Sequence, residues 1–368
     1  MRVLQIINSL GTGGAEKLLL DTIPLYRKEG VEMDLLLFWE NNHPFTKALM
    51  DLNCCKVIVL NHSLNYKDIY SPRNILKLRK YLKDYDIAHV HLFPAQYFTV
   101  LANISLKNRC KLIFTEHSTS NRRINNRIFK PLESWIYTKY KKLVCITEEI
   151  KNIYDNYLKQ FNTIEIIYNG VNIEMIQNAK SRNKEEIHPI LTQEQKIILQ
   201  VSAFRKGKDQ MTLVKALQYL PENYYVVLVG EGDELKNCEN HVIELGFDKR
   251  VVFLGQRMDI PRLLKTADII VLSSKYEGLS LSSIEGMASG KPFVASDVPG
   301  LSEVVGGAGV LFELGNAKEL AERIQELLED KTLYERTVEA CQNRAAQYDI
   351  QNMIQKHIEL YQRVYAAT

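Results

Sequence analysis

Ala267-Asp268-Ile269-Ile270-Val271-Leu272 is a short apolar run, and Tyr276-Glu277-Gly278-Leu279-Ser280-Leu281-Ser282-Ser283-Ile284-Glu285-Gly286-Met287-Ala288 follows it after three residues. The run predicts a strand buried on both faces of a parallel sheet, and residues 283–289 predict a helix. Residues 278–282 then form a loop at the carboxyl end of a strand, where open α/β sheets bind ligands. Because the first N–H groups of a helix are unpaired and lie at its positive end, this loop predicts a phosphate site. The two carboxylates beside it are suited to bind the hydroxyls of a sugar and of a ribose.

The same alternation of strand and helix patterns runs through the whole chain and predicts parallel, doubly wound sheets. Strands are expected at 3–8, 33–38, 56–60, 87–91, 111–115, 143–146, 165–167, 196–203, 225–229, 251–254, 268–272, 293–295 and 310–312. The polar, aperiodic stretch 177–188 predicts a linker. We therefore expect an α/β protein with two Rossmann-like domains facing a central cleft, at 1–180 and 189–346, followed by a closing helix at 351–365.

Composition limits the classes of protein to consider. The chain has 368 residues, 46% hydrophobic and 25% charged, which is typical of a soluble globular protein with two domains. No apolar run is long enough to span a bilayer, no signal-peptide pattern opens the chain, and six cysteines show no metal-ligand spacing. These features predict a cytoplasmic protein with reduced thiols.

Charge is distributed unevenly along the chain. Residues 1–180 carry 25 Lys and Arg against 17 Asp and Glu, a net of +8, whereas the remainder carries 22 against 27, a net of −5. Different partners for the two halves or two ordinary solvated surfaces explain this equally well. A nucleic-acid partner is not expected, because the cations lack interleaved aromatic residues and the second half is acidic.

Glycines and a histidine follow two strands of the first half. Gly13 and Gly14 precede a helix and predict a contact with a phosphate or an acceptor, although a simple tight turn is the alternative. A dinucleotide-binding fingerprint is disfavoured, since Glu16 occupies the place of its third glycine. His117 follows the strand at 111–115 and is expected to contact a sugar hydroxyl or a phosphate.

Cations and further glycines follow the first three strands of the second half. Arg205, Lys206 and Lys208 crowd one strand-to-helix loop and are suited to neutralise a diphosphate. Gly230 and Arg257 follow the next two strands, where the backbone is expected to line the pocket for a nucleotide base. The single D-x-D, Asp84-Tyr85-Asp86, precedes a strand, on the wrong edge for a diphosphate-bound metal, so no metal is predicted.

The segment 121–142 is basic and carries apolar residues at helical spacing. It has seven cations and one acid, Glu133. Such a segment is suited to an anionic membrane surface, although helices that simply pack on a domain look similar.

Taken together, these motifs resemble the family-4 retaining glycosyltransferases of the GT-B fold, over nearly the whole chain. The resemblance is carried by Gly13-Gly14-Ala15-Glu16, by Tyr168-Asn169-Gly170-Val171, by Ser274–Leu279 and by Glu285-Gly286-Met287-Ala288-Ser289-Gly290-Lys291-Pro292. It is strongest with enzymes of bacterial capsule, exopolysaccharide or lipopolysaccharide synthesis. It implies transfer of a hexosyl group, without a metal or other cofactor, from a nucleotide diphosphate sugar to a hydroxyl of a glycan or polyprenyl-linked acceptor. A closing helix at 351–365 would pack back on the first domain.

The resemblance also implies roles for individual residues. Glu277 would hold the donor sugar, Gly278 to Leu281 (with Leu279 and Ser280) would offer backbone N–H groups, and Glu285 would bind the ribose. Lys208 matches the diphosphate-binding lysine, His117 the histidine that touches the donor sugar, and Gly14 the glycine-rich loop. The family usually has an arginine where this chain has Ala203, and Arg205 is the candidate replacement.

Two other functions stay open at this point. A nucleotide-sugar epimerase or hydrolase would use the same architecture without an acceptor. A catalytically silent subunit that binds nucleotide sugar is the other alternative, and the Ala203 departure is its support.

Overall fold

The computed structural model describes residues 1–11, 13–118, 123, 126, 128–158 and 163–367. The chain divides into two compact units, one formed by Met1–Gly170 with Ile350–Thr368 and the other by Val171–Asp349. The boundary therefore lies about ten residues before the expected one at 180, because Val171, Ile173 and Ile176 pack into the core of the second unit.

The first unit contains a parallel sheet of seven strands in the order β3-β2-β1-β4-β5-β6-β7. Its strands are β1 Arg2–Ile7, β2 Glu32–Leu37, β3 Val57–Val59, β4 Ile87–His91, β5 Lys111–Glu116, β6 Lys142–Cys145 and β7 Ile164–Ile166. Its helices before the crossing to the second unit are α1 Gly14–Lys28, α2 Pro44–Asp51, α3 Arg73–Leu82, α4 Ala95–Ile104, α5 Lys130–Tyr137 and α6 Glu148–Leu158. A short 3-10 helix spans Tyr66–Tyr70.

Both faces of this sheet are covered by apolar side chains. Leu4 and Ile6 belong to one core layer, whereas Val3 and Ile7 belong to the other. Because successive side chains of a strand point to opposite faces, a strand buried on both sides must be apolar at nearly every position. This explains the continuous apolar runs from which the strands were predicted.

The second unit contains a six-stranded parallel sheet in the order β10-β9-β8-β11-β12-β13. Its strands are β8 Lys196–Val201, β9 Tyr224–Val229, β10 Val251–Phe253, β11 Ile269–Leu272, β12 Phe293–Ser296 and β13 Val310–Phe312. Its helices are α7 Ile173–Gln177, α8 Lys184–Ile187, α9 Gln210–Ala216, α10 Leu235–Glu244, α11 Ile260–Thr266, α12 Leu281–Ala288, α13 Leu301–Val305, α14 Ala317–Glu329 and α15 Lys331–Ala346. All thirteen predicted strands are confirmed, and their ends agree to within two residues.

The last helix, α16 Ile350–Ala366, returns to the first unit. Met353, Ile354, Tyr361 and Val364 are buried in the core layer that also contains Val3 and Ile7. This helix brings polar as well as apolar groups into that layer, as described below.

The linker expected at 177–188 is wrong. These residues belong to the second unit, where Lys184 is buried and pairs with Asp268 at 2.9 Å. Arg182 pairs with Asp259 at 3.0 Å, and Ile187 is buried. Charges that looked solvated in the sequence are compensated by acids that lie more than 70 residues away in the chain.

The helical pattern expected through 121–142 is also only partly correct. Of this segment, α5 covers Lys130–Tyr137, residues 128–129 form a turn, and Lys142 begins β6. Arg122, Ile124 and Arg127 lie outside the described residues.

Candidate functional site

Two loops meet where the strand order of the second sheet reverses. β8 and β11 are neighbours in the sheet, although β9 and β10 separate them in the chain. Residues 202–209 follow β8 and residues 273–280 follow β11. Ligands of open α/β sheets bind at such switch points, at the carboxyl ends of the strands.

Lys208 and Glu277 contact each other between these two loops. The Lys208 ammonium donates a hydrogen bond to the Glu277 carboxylate, and the side chains are 21% and 12% exposed. Two opposite charges are therefore held together in a partly dehydrated place that a ligand can still reach. The structure thus brings together two residues that the sequence assigned to one site from positions 69 apart.

The backbone keeps the two loops in contact. The carbonyl of Gly207 accepts hydrogen bonds from the Lys275 N–H at 2.7 Å and from Ser274 Oγ at 3.1 Å. Gly207 has φ +107°, and a Cβ there would lie 3.1 Å from the Tyr276 ring. Only glycine adopts this backbone without strain so close to an aromatic ring.

The loop before α12 contains unpaired backbone N–H groups. Those of Gly278, Leu279 and Ser280 have no acceptor within the described part of the chain. A Cβ on Gly278 would meet no atom within 4 Å, so a ligand can approach the backbone there. The helix begins at Leu281, two residues earlier than predicted, so Leu281 already belongs to its first turn. Together these groups form an anion-attracting end of a helix.

Glu285 lies in the second turn of α12 and is half-buried. The next residue, Gly286, faces the sheet, and a Cβ there would lie 2.5 Å from the Phe293 ring. Gly286 thus lets α12 lie close against β11 and β12, which fixes the position of Glu285 relative to the switch point.

Arg205 lies on the same loop as Lys208 but is exposed. Its guanidinium has no ion-pair or hydrogen-bond partner within the described residues, whereas its backbone takes part in a tight turn in which the Lys208 N–H donates to the Arg205 carbonyl at 3.0 Å. The guanidinium of Arg205 is therefore free to contact a ligand at this loop.

The loops after β9 and β10 contain Gly230 and Arg257, the two residues expected beside the base. Gly230 has φ +141°, and a Cβ there would lie 2.2 Å from the Ser202 carbonyl oxygen, so a side chain is excluded. Arg257 forms two hydrogen bonds of 2.8 Å to Asp259, which raise the pKa of Arg257 and lower that of Asp259. The Asp259 carboxylate is thus shared between Arg257 and Arg182.

The first unit has its own switch point between β1 and β4. Gly13 and Gly14 form the start of α1 directly after the β1 loop. Asn8 ties that loop to the next one, since its Nδ2 donates to the Phe93 carbonyl at 2.7 Å. Thr12, between the glycines of this loop, lies outside the described residues.

His117 follows β5 and is partly exposed, and its Nε2 lies 3.0 Å from Nδ1 of the buried His91. Burial lowers the pKa of His117 to about 4, so the ring is neutral near pH 7. The preceding Glu116 turns inward instead, where its carboxylate accepts a hydrogen bond from Tyr154.

Asp84-Tyr85-Asp86 lies before β4, as predicted, and it serves the fold. Asp86 accepts a hydrogen bond from the Arg2 N–H at 2.8 Å, and Tyr85 donates to Asp34 at 2.7 Å. In the ranges that the structure describes, no three His, Cys, Asp or Glu side chains cluster closely enough to hold a metal ion. All six cysteines are free in the structure.

The basic segment 121–142 contributes fewer free cations than its sequence suggests. Arg123 forms an ion pair with the fully buried Glu133 and stacks on the Phe93 ring at 4.0 Å. Lys142 pairs with Glu165 at 3.6 Å. None of the described helices combines the length and apolar character that crossing a bilayer requires.

Sequence reasoning missed two sets of polar residues. Asp209 supports the switch-point loops, because its carboxylate accepts from Ser273 Oγ at 3.1 Å and its N–H donates to the Ser273 carbonyl at 3.1 Å. Gln5, His89 and His91 are buried beside His117. A polar residue inside an otherwise apolar strand was the available signal for the second set.

Comparison with known proteins identifies the family of the chain. A model described as "Glycosyltransferase Family 4" matches residues 12–175, and one described as "Glycosyl transferases group 1" matches residues 182–344. Together they leave out only 1–11, 176–181 and 345–368. The chain therefore belongs to the glycosyltransferase family that these two models describe.

Among similar curated proteins is a UDP-Gal:alpha-D-GlcNAc-diphosphoundecaprenol alpha-1,3-galactosyltransferase of Escherichia coli, 27% identical over 87% of this chain and 86% of its own length. Another is a Campylobacter jejuni N-acetylgalactosamine-N,N'-diacetylbacillosaminyl-diphospho-undecaprenol 4-alpha-N-acetylgalactosaminyltransferase, 25% identical over 93% of this chain and 94% of its own length. Among solved structures, Anabaena HepE in complex with UDP and glucose has a TM-score of 0.83 at 24% identity and covers 98% of this chain and 99% of its own. The expected fold class, GT-B with two Rossmann-like doubly wound domains, is thus confirmed.

Proposed function

We propose that the chain is a retaining glycosyltransferase that moves a hexosyl group from a nucleotide diphosphate sugar to a hydroxyl of a glycan or polyprenyl-linked acceptor, in the synthesis of a cell-surface polysaccharide. The observation that carries the proposal is the contact of Lys208 with Glu277 beside the unpaired N–H groups that precede α12. One site thus combines a cation and a helix end for phosphate with a carboxylate for sugar hydroxyls.

The diphosphate takes the positive side of this site. Its oxygens accept hydrogen bonds from Lys208, from Arg205 and from the backbone between Gly278 and Leu281. As the bond to the sugar breaks, negative charge grows on the leaving phosphate, and donors already in place stabilise it without reorganisation. These groups supply the positive charge of the site, and the proposal includes no metal ion or other cofactor.

The carboxylates bind hydroxyls. Glu277 accepts hydrogen bonds from the donor sugar while Lys208 holds its orientation, and Glu285 binds the ribose of the nucleotide. The backbone of Gly230 and of the loop that contains Arg257 lines the pocket for the base. Among residues of the first unit, Gly13 and Gly14 are assigned to the diphosphate and the acceptor, and His117 is assigned to the donor sugar.

Retention of configuration follows from same-face attack in this proposal. Glu277 is engaged by Lys208, and no second carboxylate is assigned as a covalent nucleophile. The departing phosphate oxygen then takes the proton of the attacking hydroxyl while the sugar carbon has oxocarbenium character. Trapping of a glycosylated enzyme residue would contradict this step.

A lipid-linked acceptor is supported by the names of the two curated relatives and by one surface of the first unit. Ile128, Phe129, Leu132 and Trp135, here called the α5 surface, are 85%, 44%, 44% and 41% exposed. Lys130, which follows Phe129 in the chain, is exposed, and the Lys139 ammonium lies 5.3 Å from the centre of the Trp135 ring. Apolar side chains with flanking cations suit the surface of an anionic membrane, so the enzyme acts peripherally on the cytoplasmic face.

Co-sedimentation with anionic vesicles tests this membrane contact. Exchange of Leu132 and Trp135 for serine is expected to reduce binding, whereas Leu64→Ser, at an apolar residue that is 91% exposed elsewhere, is not. Equal binding by both variants would remove the α5 surface from the proposal.

The decisive experiment measures nucleotide release from a panel of UDP- and GDP-hexoses, with and without GlcNAc-diphosphoundecaprenol, the acceptor in the name of the E. coli relative. Acceptor-dependent release and a product with the anomeric configuration of the donor are expected. Release without acceptor would instead indicate an epimerase or hydrolase. Nucleotide binding without turnover would indicate a silent subunit.

A further inference from the structure

Polar groups from three elements meet under α16, inside the core layer of the first unit. Ile87 of β4 and Ile113 of β5 belong to this layer. Because strand side chains alternate, His89 and His91 of β4 and Thr115 of β5 face the same side. All three are buried, and they contact one another, Gln5 of β1, Tyr361 of α16 and His117.

The amide of Gln5 has a defined orientation. Its Nε2 donates to Tyr361 Oη at 3.0 Å and lies 3.6 Å from Met33 Sδ. A thioether sulfur has no proton and accepts only, so the amide nitrogen belongs on this side. The Gln5 carbonyl oxygen therefore faces His91, whose Nε2 lies 2.8 Å away.

The proton positions on two histidines follow from this orientation. An amide oxygen only accepts, so His91 carries its proton on Nε2. A neutral imidazole has one N–H, so His91 Nδ1 accepts, and the donor in the 3.0 Å contact must be His117 Nε2. Both rings are neutral near pH 7, since burial first, and neighbouring histidines second, lower the pKa of His91 and of His117.

The hydrogen bonds at the other end of this series run in a consistent direction from donor to acceptor. Tyr361 Oη lies 2.7 Å from His89 Nδ1, and His89 Nε2 lies 2.6 Å from Thr115 Oγ1. Because Tyr361 accepts from Gln5 and also from the Tyr26 hydroxyl, its own proton goes to His89 Nδ1. His89 then donates from Nε2 to Thr115, and each contact of the chain has one donor and one acceptor.

We propose that Tyr361, Gln5 and His91 are positioning residues that hold His117 in the tautomer with the proton on Nε2, so that Nδ1 presents a lone pair to the substrate. His117 Nδ1 has no hydrogen-bond partner among the residues that the structure describes. This inference rests on the proposed function, and it specifies the contact that His117 makes. The ring accepts a hydrogen bond from a sugar hydroxyl, and it does not bind a phosphate oxygen, which has no proton to donate at neutral pH.

The first part of the proposal is decided by the tautomer of His117 in the wild-type protein. Long-range ¹H–¹⁵N correlation spectra of the full chain with ¹⁵N-labelled histidines distinguish protonated from unprotonated ring nitrogens, and His117→Asn assigns the signals of His117. We expect a protonated Nε2 and an unprotonated Nδ1 at pH 7. A proton on Nδ1 would overturn the proposal, whether or not the protein proves to be a glycosyltransferase, because the spectrum requires no substrate.

The role of α16 is tested with Tyr361→Phe. Loss of the hydroxyl lets the Gln5 amide turn its nitrogen toward His91, so a population of the opposite His117 tautomer and a roughly five- to tenfold lower kcat/KM are expected, the size of one neutral hydrogen bond. Tyr365→Phe, on an exposed side chain of the same helix, is the matched control and should change neither. An unchanged His117 spectrum in Tyr361→Phe would overturn the role of Tyr361.

Gln5→Glu provides a second variant in case Tyr361→Phe does not fold. A carboxylate accepts from both His91 and Tyr361, so His117 should keep its proton on Nε2 while His89 exchanges donor and acceptor. Inversion of the His117 tautomer in this variant would contradict the proposed direction of hydrogen-bond donation. A sugar donor that lacks the contacted hydroxyl should lose kcat/KM in the wild type but not in His117→Asn.

Discussion

Replacement of Lys208 with methionine removes a charge while it keeps an unbranched side chain of similar length. In the structure the Lys208 side chain is 21% exposed, and its ammonium is held by Glu277 next to the unpaired N–H groups before α12. Loss of one donor that is already in place for a developing oxyanion costs about 10²–10³ in kcat, or about 2.7–4 kcal/mol. Because water can replace part of the contact at this exposure, we expect the lower end, a loss of about 10²-fold.

The assay is nucleotide release at saturating donor and acceptor, together with calorimetric titration of the nucleotide. Lys206→Met is the matched control, since Lys206 is exposed on the same loop and its loss changes the net charge equally. Near wild-type turnover is expected for this control. Turnover within threefold of wild type in Lys208→Met, or an equal loss in both variants, would refute the assignment of Lys208 to the diphosphate.

Three further predictions concern other parts of the molecule. Glu285→Gln should weaken nucleotide binding by about tenfold, the size of one charge-assisted hydrogen bond to ribose, as measured by titration, while a 2',3'-dideoxynucleotide, which lacks both ribose hydroxyls, should bind both proteins alike. Gly286→Ala should destabilise the protein by about 1–3 kcal/mol in urea unfolding, because its Cβ would lie 2.5 Å from the Phe293 ring and overpack the core. Burial lowers the pKa values of His117 and His357 to about 4, below the usual value of 6.5 for a histidine in water, so the unfolded chain binds more protons between these pH values. The free energy of unfolding should therefore be highest above about pH 6.5 and fall as the pH drops toward 4. His357→Gln should make the melting temperature less dependent on pH in that range.

The sheets were predictable because their information is local. A strand covered on both faces must be apolar, and a short apolar run such as Ile269–Leu272 therefore predicts its own burial. The proximity of Glu277 and Lys208 was predictable for a related reason, since each follows a strand at the same edge of the sheet.

Contacts made at long range in the chain were not predictable in this way. Lys184 looked like part of a solvated linker because its partner, Asp268, is 84 residues away. The pairing of Arg123 with buried Glu133 likewise removed a cation that had seemed free for a membrane. Periodicity indicates which face of an element is apolar. It carries no information on which charged side chains form ion pairs with each other.

The histidine network shows the same limit at the site itself. The sequence placed His117 at a strand end, but its tautomer depends on Tyr361, which α16 brings from 244 positions further along the chain. The unusual polar positions within β1 and β4 were a signal that these strands do more than fill a core. Only the tertiary structure indicates which groups they contact.

A crystal structure with bound UDP is the most direct test of the central claim that the diphosphate lies at the switch point of the second unit. The account predicts phosphate oxygens within hydrogen-bond distance of Lys208 Nζ and of the backbone N–H groups between Gly278 and Leu281, with the ribose hydroxyls on Glu285. Phosphate density at any other place, with Lys208 still bound only to Glu277, would contradict it.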